Sequence, residues 1–112
     1  SKNNKSILEG VPKHLPTMLK SWRIQEKVGG IGFEWENASG FLDKIKEEID
    51  ELKIEISEKN KIKMEEELGD LLFAMINFAR NLELNPVNSL EKTNQKFINR
   101  FSKMEEKILY PK

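Results

Sequence analysis

The chain has 112 residues, with 19 Lys plus Arg against 19 Asp plus Glu and a formal net charge of +0. That length suits one domain with one modest core, and the balanced charge provides no overall field to recruit nucleic acid or a membrane surface. There is no cysteine, hence no disulfide or thiolate metal site, and no apolar run approaches the roughly 20 residues of a membrane span.

Residues 1–13, with Gly10 and Pro12, read as a linker or tail, and 14–112 as the folded domain. The polar start SKNNKS is no signal peptide, so cytoplasm is the expected location. Pro16 suits a first helical turn, and Leu15, Met18, Leu19, Trp22 and Ile24 predict a helix to about Val28. Gly29, Gly30 and Gly32 break it, and GGIGFEWEN reads as a loop carrying Phe33 and Trp35. A second helix is predicted from about Ser39 to Ser57, with Phe41, Ile45, Ile49, Leu52 and Ile56 on one stripe.

After the SEKNK turn, a third helix is predicted from about Ile62 to Leu84. Asn85 and Pro86 then cap and open a fourth, whose stripe is Leu90, Phe97, Phe101, Met104 and Ile108 and which Pro111 ends. The fold class is all-α: a four-helix bundle with short turns and consecutive helices antiparallel. Between Leu68 and Ala79 only Gly69, Asp70 and Asn77 are not apolar. A helix apolar almost all round must be covered on every side, so completion by a homodimer, or by packing on a further domain, is expected, the homodimer first.

Most of the acids on the second and third helices belong to solvated faces. Glu48 and Glu51 differ in lying beside the apolar stripe, three residues apart on one face. Glu67 and Asp70 repeat that spacing on the third helix, and Asp70 interrupts its most apolar stretch, where an ionised carboxylate needs a partner or a metal. Two antiparallel helices can bring these four acids together, and such a cluster repels itself unless a cation fills it. Hard oxygen ligands select magnesium, or manganese, and magnesium is commonly shared with substrate phosphates. A di-iron carboxylate site would need Glu-x-x-His pairs, whereas the single histidine, His14, lies far from the acids in sequence.

Residues 41–58 carry a net charge of −4 and residues 86–110 a net of +2. Lys92, Lys96, Arg100, Lys103 and Lys107 form a continuous basic ridge, either a solvated face or a set of phosphate clamps. Asn94 occupies an apolar-stripe position and is expected to hydrogen-bond a buried group. Phe33 and Trp35 either seal the core or offer a stacking face to a nucleobase. No Gly-Lys-Ser/Thr phosphate loop and no base-reading motif is present.

The segments GVPKHLPTMLKSWRIQEKVGGIGFEW, KIKEEIDEL, EEELGDLLFAMINFARNL and EKTNQKFINRF, in this order, resemble the MazG family of the all-α NTP pyrophosphohydrolase superfamily. The likeness spans nearly the whole chain and is strongest to the C-terminal half of two-domain members, so the chain is either a natural short form or such a half. The superfamily pattern Glu-Glu-x-x-Glu, then Glu-x-x-Asp, is matched by Glu47, Glu48 and Glu51, then Glu67 and Asp70. The resemblance implies Glu48, Glu51, Glu67 and Asp70 as magnesium ligands, with Glu47 as a further or indirect one. It places Asn77, Lys92, Asn94, Lys96 and Arg100 near the nucleotide and its phosphates. The activity implied is attack by a metal-activated water on a nucleoside triphosphate, giving monophosphate and pyrophosphate. The alternatives are a narrow housecleaning (deoxy)nucleotide pyrophosphatase and a non-catalytic nucleotide-binding helical module.

Overall fold

The structure is a computed structural model, which describes residues 6–29 and 38–110. Among these there are four α-helices and no strand: α1 Thr17–Gly29, α2 Ala38–Ser57, α3 Lys61–Asn81 and α4 Pro86–Leu109. The all-α expectation holds. Within the span read as a tail, Ile7–Gly10 forms a 3-10 turn capped by Ser6 and packed against α1. No described helix is long and apolar enough to cross a membrane.

Local chemistry explains most of the boundaries. The first α1 bond runs from the Lys20 amide to the Pro16 carbonyl at 2.8 Å, so proline stands where no donor is needed. Asn60 and Asn85 cap α3 and α4 by accepting from the amides of Lys63 and Asn88, each at 3.1 Å. One boundary differs from the expectation: α3 stops at Asn81, not Leu84. Glu83 adopts a left-handed φ of 59°, and the Leu84 amide reaches back to the Ala79 carbonyl at 2.9 Å. Lys59 does the same after α2, with φ 58° and the Asn60 amide on the Glu55 carbonyl at 3.1 Å. Both are helix stops usually marked by glycine, and neither carries one here.

The α2–α3 hairpin is the body of the molecule. Phe41, 2% exposed, lies 6.2 Å from the Phe78 ring, and Ala74 and Ile76 are buried with it. Seven residues along α2 from Phe41, and eight back along α3 from Phe78, the same antiparallel register sets Glu48 near Asp70. α1 lies across α3, and only the start of α4 meets α1, around a cleft of about 460 Å³ lined by Trp22, Pro86 and Val87 among others.

Beyond Pro86 every described residue of α4 is exposed. Phe97 and Phe101 stack on each other with rings 9° from parallel, yet Phe97 is 68% exposed and Ile108 71%. The expected antiparallel packing of α4 along α3 is therefore not present in the single chain, and the molecule extends to 74 Å in its longest dimension. The physical reason is visible on α3. Leu68, Leu72, Phe73 and Met75 remain exposed, so two apolar surfaces stand uncovered rather than meeting each other.

Candidate metal and nucleotide site

One strip of α2, formed by Lys44, Glu48, Glu51 and Glu55, recurs at the three- and four-residue spacing of a helix face. The strip formed by Glu67, Asp70, Ala74 and Asn77 recurs in the same way on α3. Carboxylate oxygens of Glu48, Glu67 and Asp70 lie within 4.8 Å of one another. Glu51 contacts Glu67, and Glu55, one turn further along, keeps one buried carboxylate oxygen that meets no donor.

Burial falls on different acids from those the sequence suggested. Glu48 is 5% exposed, whereas Asp70 is exposed. The apolar stretch around Asp70 is itself open to solvent in the single chain, so the carboxylate is not taken out of water there. Glu48 Oε2 and Glu67 Oε2 are buried and accept no hydrogen bond. The Glu67 carboxyl is pushed up to about 7, first by burial and then by the adjoining carboxyls of Glu51, Asp70 and Glu48. Buried hard oxygens lacking donors, in a cluster that resists full ionisation, suit a small divalent cation.

Lys44 is one of two residues that the sequence reading passed over. Its Nζ lies 3.0 Å from Glu48 Oε1 and 3.4 Å from Glu47 Oε1. The hydrogen bond to Glu48 leads the effects that hold this ammonium above its ordinary lysine value. A signal was present, since Lys44 stands one helical turn before both acids. Glu47 is exposed and lies outside the three-carboxylate group.

Lys44, Glu48, Asp70, Phe73, Ala74 and Asn77 line a cleft of about 340 Å³, so Asn77 adjoins the acids as the shared helix face requires. A second missed residue, Gln25, is 5% exposed and donates Nε2 to the Phe73 carbonyl at 2.8 Å. Its signal was a polar side chain in the seam Met18, Trp22, Gln25, Gly29 of α1. Lys92, Asn94, Lys96 and Arg100 are exposed along α4 and do not line this cleft. Asn94 in particular is exposed, against the expectation of a buried partner, because its whole helix face is uncovered. Phe33 and Trp35 lie outside the described residues.

Comparison with known proteins identifies the family. The family model for the MazG nucleotide pyrophosphohydrolase domain matches residues 37–106. A protein of Escherichia coli (strain K12) named nucleoside triphosphate pyrophosphohydrolase is 39% identical over 102 residues, covering 89% of this chain and 39% of that protein. The nucleoside triphosphate pyrophosphohydrolase/pyrophosphatase MazG of Thermotoga maritima is 43% identical over 94 residues, 84% of this chain and 36% of its own length. The uncharacterized protein YabN of Bacillus subtilis is 40% identical over 102 residues, 90% of this chain and 21% of that protein. The chain thus spans well under half the length of these relatives. The match of the family model takes in both acidic strips, and the chain belongs to the MazG nucleotide pyrophosphohydrolase family.

Proposed function

We propose that the chain hydrolyses nucleoside triphosphates at the α–β phosphoanhydride with magnesium, or manganese, yielding nucleoside monophosphate and pyrophosphate. The observation that carries this reading is the group of three carboxylates from two helices, two of them with buried oxygens that no donor reaches. Glu48, Glu67 and Asp70 would hold the cation, with Glu51 completing the set beside Glu67. When bound, the cation supplies Lewis-acid polarisation of phosphate oxygens and favours a nucleophilic water. The names of the E. coli and T. maritima relatives support the same substrate class.

The chain's own residues have separate tasks. The α2–α3 register fixes the distance between the two acid pairs, and the Phe41–Phe78 contact maintains that register. Lys44 balances Glu48 before substrate binds and is then placed to meet a phosphate oxygen. A second copy of the chain covers Leu68, Leu72 and Met75 on α3 and the apolar stripe of α4. Lys92, Lys96 and Arg100 supply cations for the phosphates once α4 is brought against an acidic strip, and Asn77, Asn94 and Trp35 contact the remainder of the nucleotide. The reaction takes place in the cytoplasm.

The test is incubation with a panel of ribo- and deoxyribonucleoside triphosphates and magnesium, resolving monophosphate, pyrophosphate and orthophosphate. Monophosphate and pyrophosphate in equal amounts are expected. Orthophosphate as the sole product, or unchanged turnover by Glu67→Ala, would refute the reading. Turnover confined to one nucleotide would identify a narrow housecleaning enzyme, and nucleotide binding without turnover a binding module.

A further inference from the structure

The pair formed by Lys44 and Glu48 is uneven. The Glu48 side chain is 6% exposed and that of Lys44 40%, so a buried acid meets an ammonium still open to solvent. Nζ lies 3.0 Å from Glu48 Oε1, whereas Oε2 of the same carboxylate is buried and meets no donor. Lys44 thus satisfies one side of Glu48 and leaves the other for a second positive group. Glu48 in turn belongs with Glu67 and Asp70, whose carboxylate oxygens gather within 4.8 Å. Among the described residues lining the cleft of about 340 Å³, Lys44 is the one cation, and it stands there beside Asp70 and Asn77.

A divalent cation held by this group shares the Glu48 carboxylate with the Lys44 ammonium. Like charges on one carboxylate oppose each other, most strongly where burial limits screening. Swinging Lys44 out to solvent relieves that repulsion only by giving up the contact with Glu48. Either way the ammonium counts against a cation that arrives alone. A nucleotide phosphate reverses the sign. One of its oxygens can accept from the ammonium while another faces the cation, and its negative charge lies between the two. The same side chain then favours the state in which both are bound.

We infer that Lys44 makes cation and nucleotide binding interdependent: its ammonium disfavours a divalent cation alone and meets a phosphate oxygen once the nucleotide joins it. The inference rests on the pyrophosphohydrolase reading for the identity of the two ligands, and adds a reason for the site to take both together. By linkage, each ligand raises the affinity for the other by the same factor. A lysine that only held Glu48 in place would support both ligands alike.

Affinities are measured by calorimetry for magnesium alone, for α,β-methylene ATP in chelator, and for the same analogue at saturating magnesium; its methylene bridge resists cleavage. Lys44→Met, its folding checked by its melting transition, should bind magnesium alone about tenfold more tightly and the analogue alone about tenfold more weakly. Magnesium should raise the analogue's affinity about tenfold more in the wild-type protein than in the variant. A fall in both affinities in the variant, as loss of a purely structural contact would give, would overturn the inference. An equal gain from magnesium in both proteins would overturn it too. The wild-type protein is decisive without any variant, since no gain in analogue affinity from magnesium would also sink it. None of these results decides the pyrophosphohydrolase reading, which turnover of nucleoside triphosphates by the wild-type protein tests. The expected pattern without hydrolysis of any nucleoside triphosphate would support the coupling and overturn the proposed reaction.

Discussion

Lys44 Nζ lies 3.0 Å from Glu48 Oε1, so the most buried acid of the cluster is neutralised by a lysine one turn before it on the same helix. That ammonium occupies one of the oxygens a cation would need. Lys44→Met should lower the stability of the metal-free protein by about 1–2 kcal/mol, because a buried carboxylate loses its partner, although Lys44 itself is partly exposed. The same variant should show a larger rise in melting temperature on adding magnesium than the wild-type protein. Thermal unfolding with chelator and with magnesium measures both effects.

A second expectation concerns pH. The Glu67 carboxyl is pushed up from its ordinary 4.5 to about 7, mainly by burial and by the neighbouring carboxyls. A raised folded-state value means that this group favours the fold below about pH 4.5 and that the contribution is lost as pH rises through about 7. The metal-free protein should therefore lose stability between those values. Added magnesium should stabilise more at pH 8 than at pH 5, since binding must displace the shared proton. Glu67→Gln should flatten this part of the metal-free profile.

The contrast between Glu47 and Glu48 provides a third test. The two acids are adjacent in sequence, but Glu48 lies within the three-carboxylate group while Glu47 faces solvent. Glu48→Gln should reduce turnover by at least about a hundredfold and weaken metal binding. Glu47→Gln should change turnover by no more than a few-fold. Steady-state kinetics across a magnesium titration separates these outcomes.

The helix stops lead to a stability prediction. Lys59 and Glu83 hold left-handed backbones with φ near 60°, a conformation glycine adopts without the penalty of a Cβ. Lys59→Gly and Glu83→Gly should each stabilise the protein by about 0.5–1 kcal/mol, readable in urea unfolding. Neither residue belongs to the acidic group, so turnover should be unaffected.

Assembly can be tested on α3. Leu72→Asp places a charge in the exposed apolar face without touching the described core. If a second copy covers that face, sedimentation should shift from dimer to monomer, and turnover should fall with it.

Much of this was legible in the residues. Asn85 and Pro86 announced one helix start, and the paired three-residue spacings of the acids foretold facing strips, whereas the cap at Asn60 was read only as part of a turn. The end of α3 was not legible, because Glu83 adopts a conformation for which its residue type carries no signal. Asp70 was placed correctly on its helix, yet its burial was not, since burial depends on what covers a neighbouring surface. Lys44 and Gln25 were passed over for a related reason. Each has a meaning set by a single atom, Nζ or Nε2, whose environment is built from another part of the chain or another turn of the helix.

The tight stop at Lys59 makes the two sides of the hairpin unequal in their tolerance of added length. A residue inserted at that turn can be absorbed by the irregular backbone there. One inserted between Lys61 and Glu66 lies inside a helix capped by Asn60, and would swing Glu67 and Asp70 about 100° around the axis relative to that cap. Natural variation in chain length should therefore gather at the tip and spare the six positions that follow it.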